Sequence, residues 1–144
     1  MMHRLTGANI TAAAAIAAVL ITLIPSANAQ RRGESDEPVT GTASTVEGWG
    51  DTMFIAEQRI KICGIDDTKN DASIAAFADI VDGQTVTCTL VGDGTPCDGR
   101  TPRKFYDSFN AQCFLDGGDD IADLMVDAGA AVDLPLISGG HYAR

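Results

Sequence analysis

The residues able to do chemistry in this 144-residue chain are few, and their types and spacing narrow what they do. Cys63, Cys88, Cys97 and Cys113 contain no CxxC pair, and beyond residue 29 the single histidine is His141. Structural zinc sites need thiolates and imidazoles at short paired spacings, so these four cysteines point to disulfides. Lys61, Lys69, Arg100, Arg103 and Lys104 form the feature most favourable to an anionic ligand. They would make a local basic patch in a chain with 20 acidic residues against 10 basic. The net charge of −10 weighs against a general nucleic-acid binder, because polyanion binding draws on basic groups that release condensed counterions.

The amino terminus sets the compartment. Arg4 precedes a 15-residue apolar run, Ile10 to Ile24, which Pro25 and Ser26 break before Ala27-Asn28-Ala29. The run is short of the roughly 20 residues that a spanning helix requires. Charge, apolar run and small-residue motif together predict a signal peptide over 1–29, cleaved before Gln30. The chain is therefore expected to be exported, periplasmic or extracellular, with no stable membrane anchor. Export also favours oxidised cysteines. The expected mature chain carries 9 basic against 20 acidic residues, a net charge of −11. Residues 30–38 are polar and aperiodic, a flexible lead-in to one domain over 39–144.

Within that domain the hydrophobic pattern alternates between strand and helix periods. Val39 to Val46, Asp51 to Ala56 and Arg59 to Ile65 read as three strands, the last two forming a hairpin. In the third, Ile60 and Ile62 share one face while Lys61 and Cys63 share the other. Ile74, Phe77, Ala78 and Val81 recur at helical spacing from Asp71 until Gly83 stops the helix. Thr85 to Leu90 alternates strictly, with Val86, Cys88 and Leu90 on one face. A polar loop over 91–107 leads to a strand at Phe109 to Phe114, with Ala111 and Cys113 on one face. Asp119 is the expected cap of a second helix ending at Gly129, and 130–144 reads as an irregular tail. Five strands and two helices in the order β-β-β-α-β-β-α suit a mainly β, α+β fold, a five-stranded Greek-key barrel with helices.

This order resembles the staphylococcal-nuclease-like family, an OB-fold barrel. The resemblance covers about residues 39–133. It rests on Gly50-Asp51-Thr52, on Arg59-Ile60-Lys61-Ile62-Cys63-Gly64-Ile65-Asp66 and on Gly83-Gln84-Thr85-Val86-Thr87-Cys88. Ala111-Gln112-Cys113-Phe114, then Asp120-Ile121 through Leu124-Met125-Val126 to Ala128-Gly129-Ala130, complete it. The resemblance implies a calcium-dependent phosphodiesterase acting on DNA or RNA. Such chemistry needs a carboxylate to direct water, cations to stabilise phosphate oxygens, and a metal. The family's metal-binding aspartates fall on Asp51 and Asp66, and Asp67 would add a third oxygen ligand for Ca²⁺.

The catalytic positions depart from the family's pattern. The catalytic glutamate falls on Lys69, a cation that cannot act as a base at neutral pH. The first arginine falls on Lys61, which keeps charge but loses bidentate geometry. The second falls on Ser108. Gly99-Arg100 resembles the family's Gly-Arg pair, but Arg100 lies eleven residues before Ala111 and reads as a loop residue able to reach the site. Trp49 stands where the family carries an acid, offering a stacking surface or a block. In the implied barrel Cys88 and Cys113 both point inward and form the best disulfide pair. Cys63–Cys97 is the remainder, pinning the long loop over the site. Three functions stay open: a nuclease-like binding module, catalytically impaired, for an unidentified protein or small anionic ligand; a calcium-dependent nuclease, the only one acting on nucleic acid; and a calcium-stabilised structural domain.

Overall fold

β1 (Val39–Thr45) turns Ala43 inward and Thr40, Thr42 and Ser44 outward, the two-residue period of a half-buried strand. It pairs antiparallel with β2 (Thr52–Ile55), and β2 with β3 (Gln58–Ile62). Ala56 and Glu57 close that hairpin with both φ values positive, +48° and +67°, the tight-turn geometry whose twist matches the flanking strands. This computed structural model describes residues 37–144. The signal peptide expected over 1–29, and the expected lead-in as far as residue 36, lie outside the described residues.

β4 (Ile65–Asp67) follows a sharp turn, then α1 (Asp71–Val81), whose Asn70 and Ser73 form a reciprocal capping box. β5 (Thr85–Leu90) pairs with β1 on one side and with β7 (Ser108–Leu115) on the other. β6 (Lys104–Phe105) folds back on β7. After α2 (Ile121–Asp127), β8 (Ala131–Asp133) pairs with β4, and the short α3 (Pro135–Ser138) follows. The sheet runs β3-β2-β1-β5-β7, and β7 pairs back to β3 in parallel, with Ile60 opposite Phe109. Five strands thus close a barrel, compatible with an OB-fold, in a mainly β, α+β protein. Met53, Ile55, Ile60, Ile62, Val86 and Cys88 fill its interior, and Phe77 of α1 and Met125 of α2 plug it.

Both disulfides join the expected pairs, one placed by the strand faces and the other as the remainder. Cys88 and Cys113 are register partners on β5 and β7, fully buried. Cys63–Cys97 ties the turn after β3 to the loop that follows β5. Two buried disulfides in a small domain belong to an oxidising compartment. Among the described residues no helix is long and apolar enough to cross a membrane.

The structure corrects the expected elements in four places. The strand expected over 59–65 breaks at Gly64, whose φ is +83° and whose missing Cβ leaves room for the Tyr142 ring and Ser138. The loop over 91–107 contains β6, too short to show a period. The cap of α2 is Asp120, whose carboxylate accepts from the Ala122 N–H, not Asp119. The tail is ordered by a buried contact. Tyr142 is fully buried and donates from its hydroxyl to Asp120 at 3.2 Å, while Gln112 donates to the same oxygen at 2.7 Å. Burial and the neighbouring Asp120 carboxylate push the Tyr142 phenol far above its usual value.

Candidate functional site

The site begins with alternation along β3. With Ile60 and Ile62 in the core, Arg59 and Lys61 stand on the outward face, two residues apart. The turn from β1 to β2 sets Trp49 beside them, 47% exposed. The Arg59 guanidinium lies 5.3 Å and the Lys61 ammonium 6.0 Å from the Trp49 ring centre, within reach of cation–π attraction. Trp49 and Lys61 line two clefts, one acidic and one aromatic.

The acidic cleft, about 370 Å³, gathers Asp51, Asp66, Asp67, Lys61 and Lys69. The residues predicted as metal ligands and two of those at catalytic positions thus meet in one place. Their hydrogen bonds, however, are mostly spent on one another. Buried Asp51 accepts from the Thr52 hydroxyl at 2.8 Å through one oxygen and from the Lys61 ammonium through the other. Asp67, also buried, accepts from the Gly50 N–H at 3.1 Å. A Cβ at Gly50 would sit 2.8 Å from that Asp67 oxygen, so the glycine is what admits the carboxylate. Lys69 faces Asp66 at 3.6 Å, both side chains well exposed. Among the described residues no group of three or more His, Cys, Asp or Glu side chains is gathered as a metal site would require.

The aromatic cleft, about 460 Å³, lies between Trp49, Phe105 and Tyr106, with Arg59, Ser108 and Asn110 in its wall. Phe105 is 60% and Tyr106 84% exposed, held at the β6–β7 turn by a positive φ at Tyr106. Their rings meet edge to face at 4.5 Å. Arg59 donates to Asp107 at 2.8 Å, and that bond holds the Asp107 carboxyl below the usual carboxylate range. The Arg59 Nε–H is buried and finds no acceptor. Ser108, where the resemblance would place a second cation, is directly opposite Arg59 in the parallel β3–β7 register.

Arg100 joins neither cleft. It donates to the Pro96 carbonyl at 3.2 Å and lies against Gly139 of the tail. Its loop is fastened by Asp98, which accepts from Gly92 at 2.7 Å, Gly94 at 2.8 Å and the Thr95 hydroxyl at 2.6 Å. Desolvation would raise the Asp98 carboxyl, but these donors outweigh it and hold the group below its ordinary value. Arg103 donates to the Val91 carbonyl at 2.9 Å and pairs with Asp93 on the same loop. The five basic residues read as one patch are therefore dispersed: Lys61 and Lys69 line the acidic cleft, Arg100 and Arg103 brace the loop, and Lys104 lies over the Phe109 ring.

Sequence reasoning passed over Arg59, Phe105, Tyr106 and Asp107. Arg59 had a readable signal, since it shares the outward face of β3 with Lys61. The two aromatics stood out only as large apolar residues in an otherwise polar loop. Compared with protein-family models and with curated protein sequences, the chain matches none.

Proposed function

We propose that this chain is an exported binding module on a staphylococcal-nuclease-like OB-fold barrel, catalytically impaired, that takes a small anionic ligand with a flat ring in the aromatic cleft. The observation that carries the reading is the exposed set of Trp49, Phe105 and Tyr106 around a cleft whose wall carries the Arg59 guanidinium. Exposed aromatic faces around a cavity are surfaces for stacking, and a guanidinium at the wall recognises a carboxylate or phosphate. The impairment follows from the chemistry of the neighbouring cleft. Lys69 stands where the implied general base would be, and Lys61 is tied to Asp51. A water-activating carboxylate and two free cations are what phosphodiester hydrolysis asks of a site.

Trp49 is the chain's only tryptophan, so its fluorescence reports directly on the cleft. Titration with aromatic phosphates and aromatic carboxylates should change that emission saturably, and Arg59→Ala should weaken binding about tenfold, as loss of one charge-assisted contact predicts. Emission indifferent to every such ligand would overturn the binding reading. Parallel assays of DNA and RNA cleavage with Ca²⁺ and with chelator test the impairment. Calcium-dependent cleavage abolished by Asp66→Asn would establish the nuclease alternative instead.

A further inference from the structure

We propose that Lys61 and Lys69 supply in the acidic cleft the positive charge that the resemblance assigns to Ca²⁺, and that these two lysines exclude a divalent cation from it. The donor set does not fit Ca²⁺, which takes six to eight oxygens with free lone pairs. Of the three aspartates, Asp51 accepts from Lys61 and Thr52, and Asp67 from the Gly50 backbone. Asp66 is the one carboxylate facing solvent, and Lys69 stands over it at 3.6 Å. Three carboxylates and two ammoniums leave one negative charge in the cleft, too little to draw a dication from water. An ion would also have to displace ammonium groups tethered to the same fold, whose effective concentration is far above that of any free metal.

The inference concerns the acidic cleft and does not depend on what the aromatic cleft binds. Trp49 lines the acidic cleft as well, so excitation of its indole would sensitise Tb³⁺ bound among the aspartates. In the native chain, about 10 mM Ca²⁺ should leave the melting temperature where chelator leaves it. That concentration is roughly tenfold above the Kd of weak extracellular calcium sites. Tb³⁺ should give no Trp49-sensitised emission. Lys61→Met with Lys69→Glu removes both ammoniums and adds a carboxylate. In that variant Ca²⁺ should raise the melting temperature by about 5–10 °C, and Tb³⁺ emission should appear and be competed away by Ca²⁺. Lys61→Gln with Lys69→Glu, which keeps an amide donor for Asp51, serves if the first pair unfolds.

Saturable Ca²⁺ stabilisation or Tb³⁺ emission in the native chain, lost on Asp51→Asn, would overturn the proposal. A folded double variant indifferent to both ions would overturn it equally. A native chain that binds Ca²⁺ but cleaves no nucleic acid would sink this inference and leave the proposed function standing.

Discussion

The two clefts that share Trp49 and Lys61 differ in what each leaves open. In the acidic cleft Asp51, Asp66 and Asp67 each face a donor from the same chain. In the aromatic cleft three large rings, Trp49, Phe105 and Tyr106, stand open to solvent. Internal pairing turns a charged cluster into a structural brace, because each group has exchanged water for a fixed partner. Groups left open are what an incoming molecule can satisfy. The comparison therefore assigns stability to one cleft and recognition to the other, and substitutions on each side should separate the two.

The largest effect on stability should come from Asp51→Ala. It strands the half-exposed Lys61 ammonium and removes the acceptor of the Thr52 hydroxyl on a barrel strand. Breaking a fully buried pair costs about 3–5 kcal/mol, and exposure of Lys61 discounts this to about 2 kcal/mol. Urea unfolding followed by circular dichroism would measure it. Binding in the aromatic cleft should survive in the folded fraction, and its loss would mean that the two clefts are one site.

Trp49→Ala should do the reverse. The ring is half exposed and its contacts to Arg59 and Lys61 are worth about 0.5–1 kcal/mol, so unfolding should shift by about that amount. Ligand affinity, followed by calorimetry since the fluorophore is gone, should fall about tenfold or more with loss of a stacking face. A stability loss as large as that of Asp51→Ala would make Trp49 a packing residue.

How much of this was legible in the sequence follows from where the information is stored. The barrel strands, α1 and both disulfide pairs could be read because alternation and helical spacing act locally, and pairing the two inward cysteines leaves Cys63 and Cys97 to each other. The break at Gly64, the ordered tail and the dispersal of Arg100 and Arg103 depend on contacts distant in sequence. Tyr142 fills the space beside Gly64, and no pattern around residue 142 announces that it is buried. The acidic cleft was implied by the resemblance, which brings together Asp51 before β2, Lys61 of β3 and Asp66 of β4. That Lys61 would turn toward Asp51 rather than into solvent could not. The aromatic cleft needed the β6–β7 turn, which is too short to show a period.

The Tyr142 network extends the contrast to pH. A buried hydroxyl whose folded pKa lies above its unfolded value of about 10 binds its proton more tightly in the native state. Its stabilisation is whole below pH ~10 and is lost progressively as the pH rises above that. Tyr142→Phe should cost about 1 kcal/mol at neutral pH, where the bond to Asp120 is lost. It should also flatten the alkaline decline, and parallel declines in the two proteins would show that another group drives it. Binding in the aromatic cleft should be unchanged by this substitution.

The smallest effect tests whether the exposed edge of the acidic cleft matters to stability at all. Lys69 pairs with Asp66 across a solvent-exposed 3.6 Å, and it holds a backbone φ of +52° that side chains other than glycine and asparagine adopt at some cost. Lys69→Ala keeps the conformational penalty and loses the ion pair, which for an exposed pair is worth no more than about 0.5 kcal/mol. Lys69→Gly also loses the pair but relieves the left-handed backbone, a gain of about 1 kcal/mol that the greater freedom of glycine in the unfolded chain partly offsets. Glycine should therefore equal or exceed alanine in stability, although it is the poorer residue for ordered structure in general. If alanine proves the more stable by 0.5 kcal/mol or more (about half the expected backbone term), the turn before α1 tolerates the left-handed residue without strain.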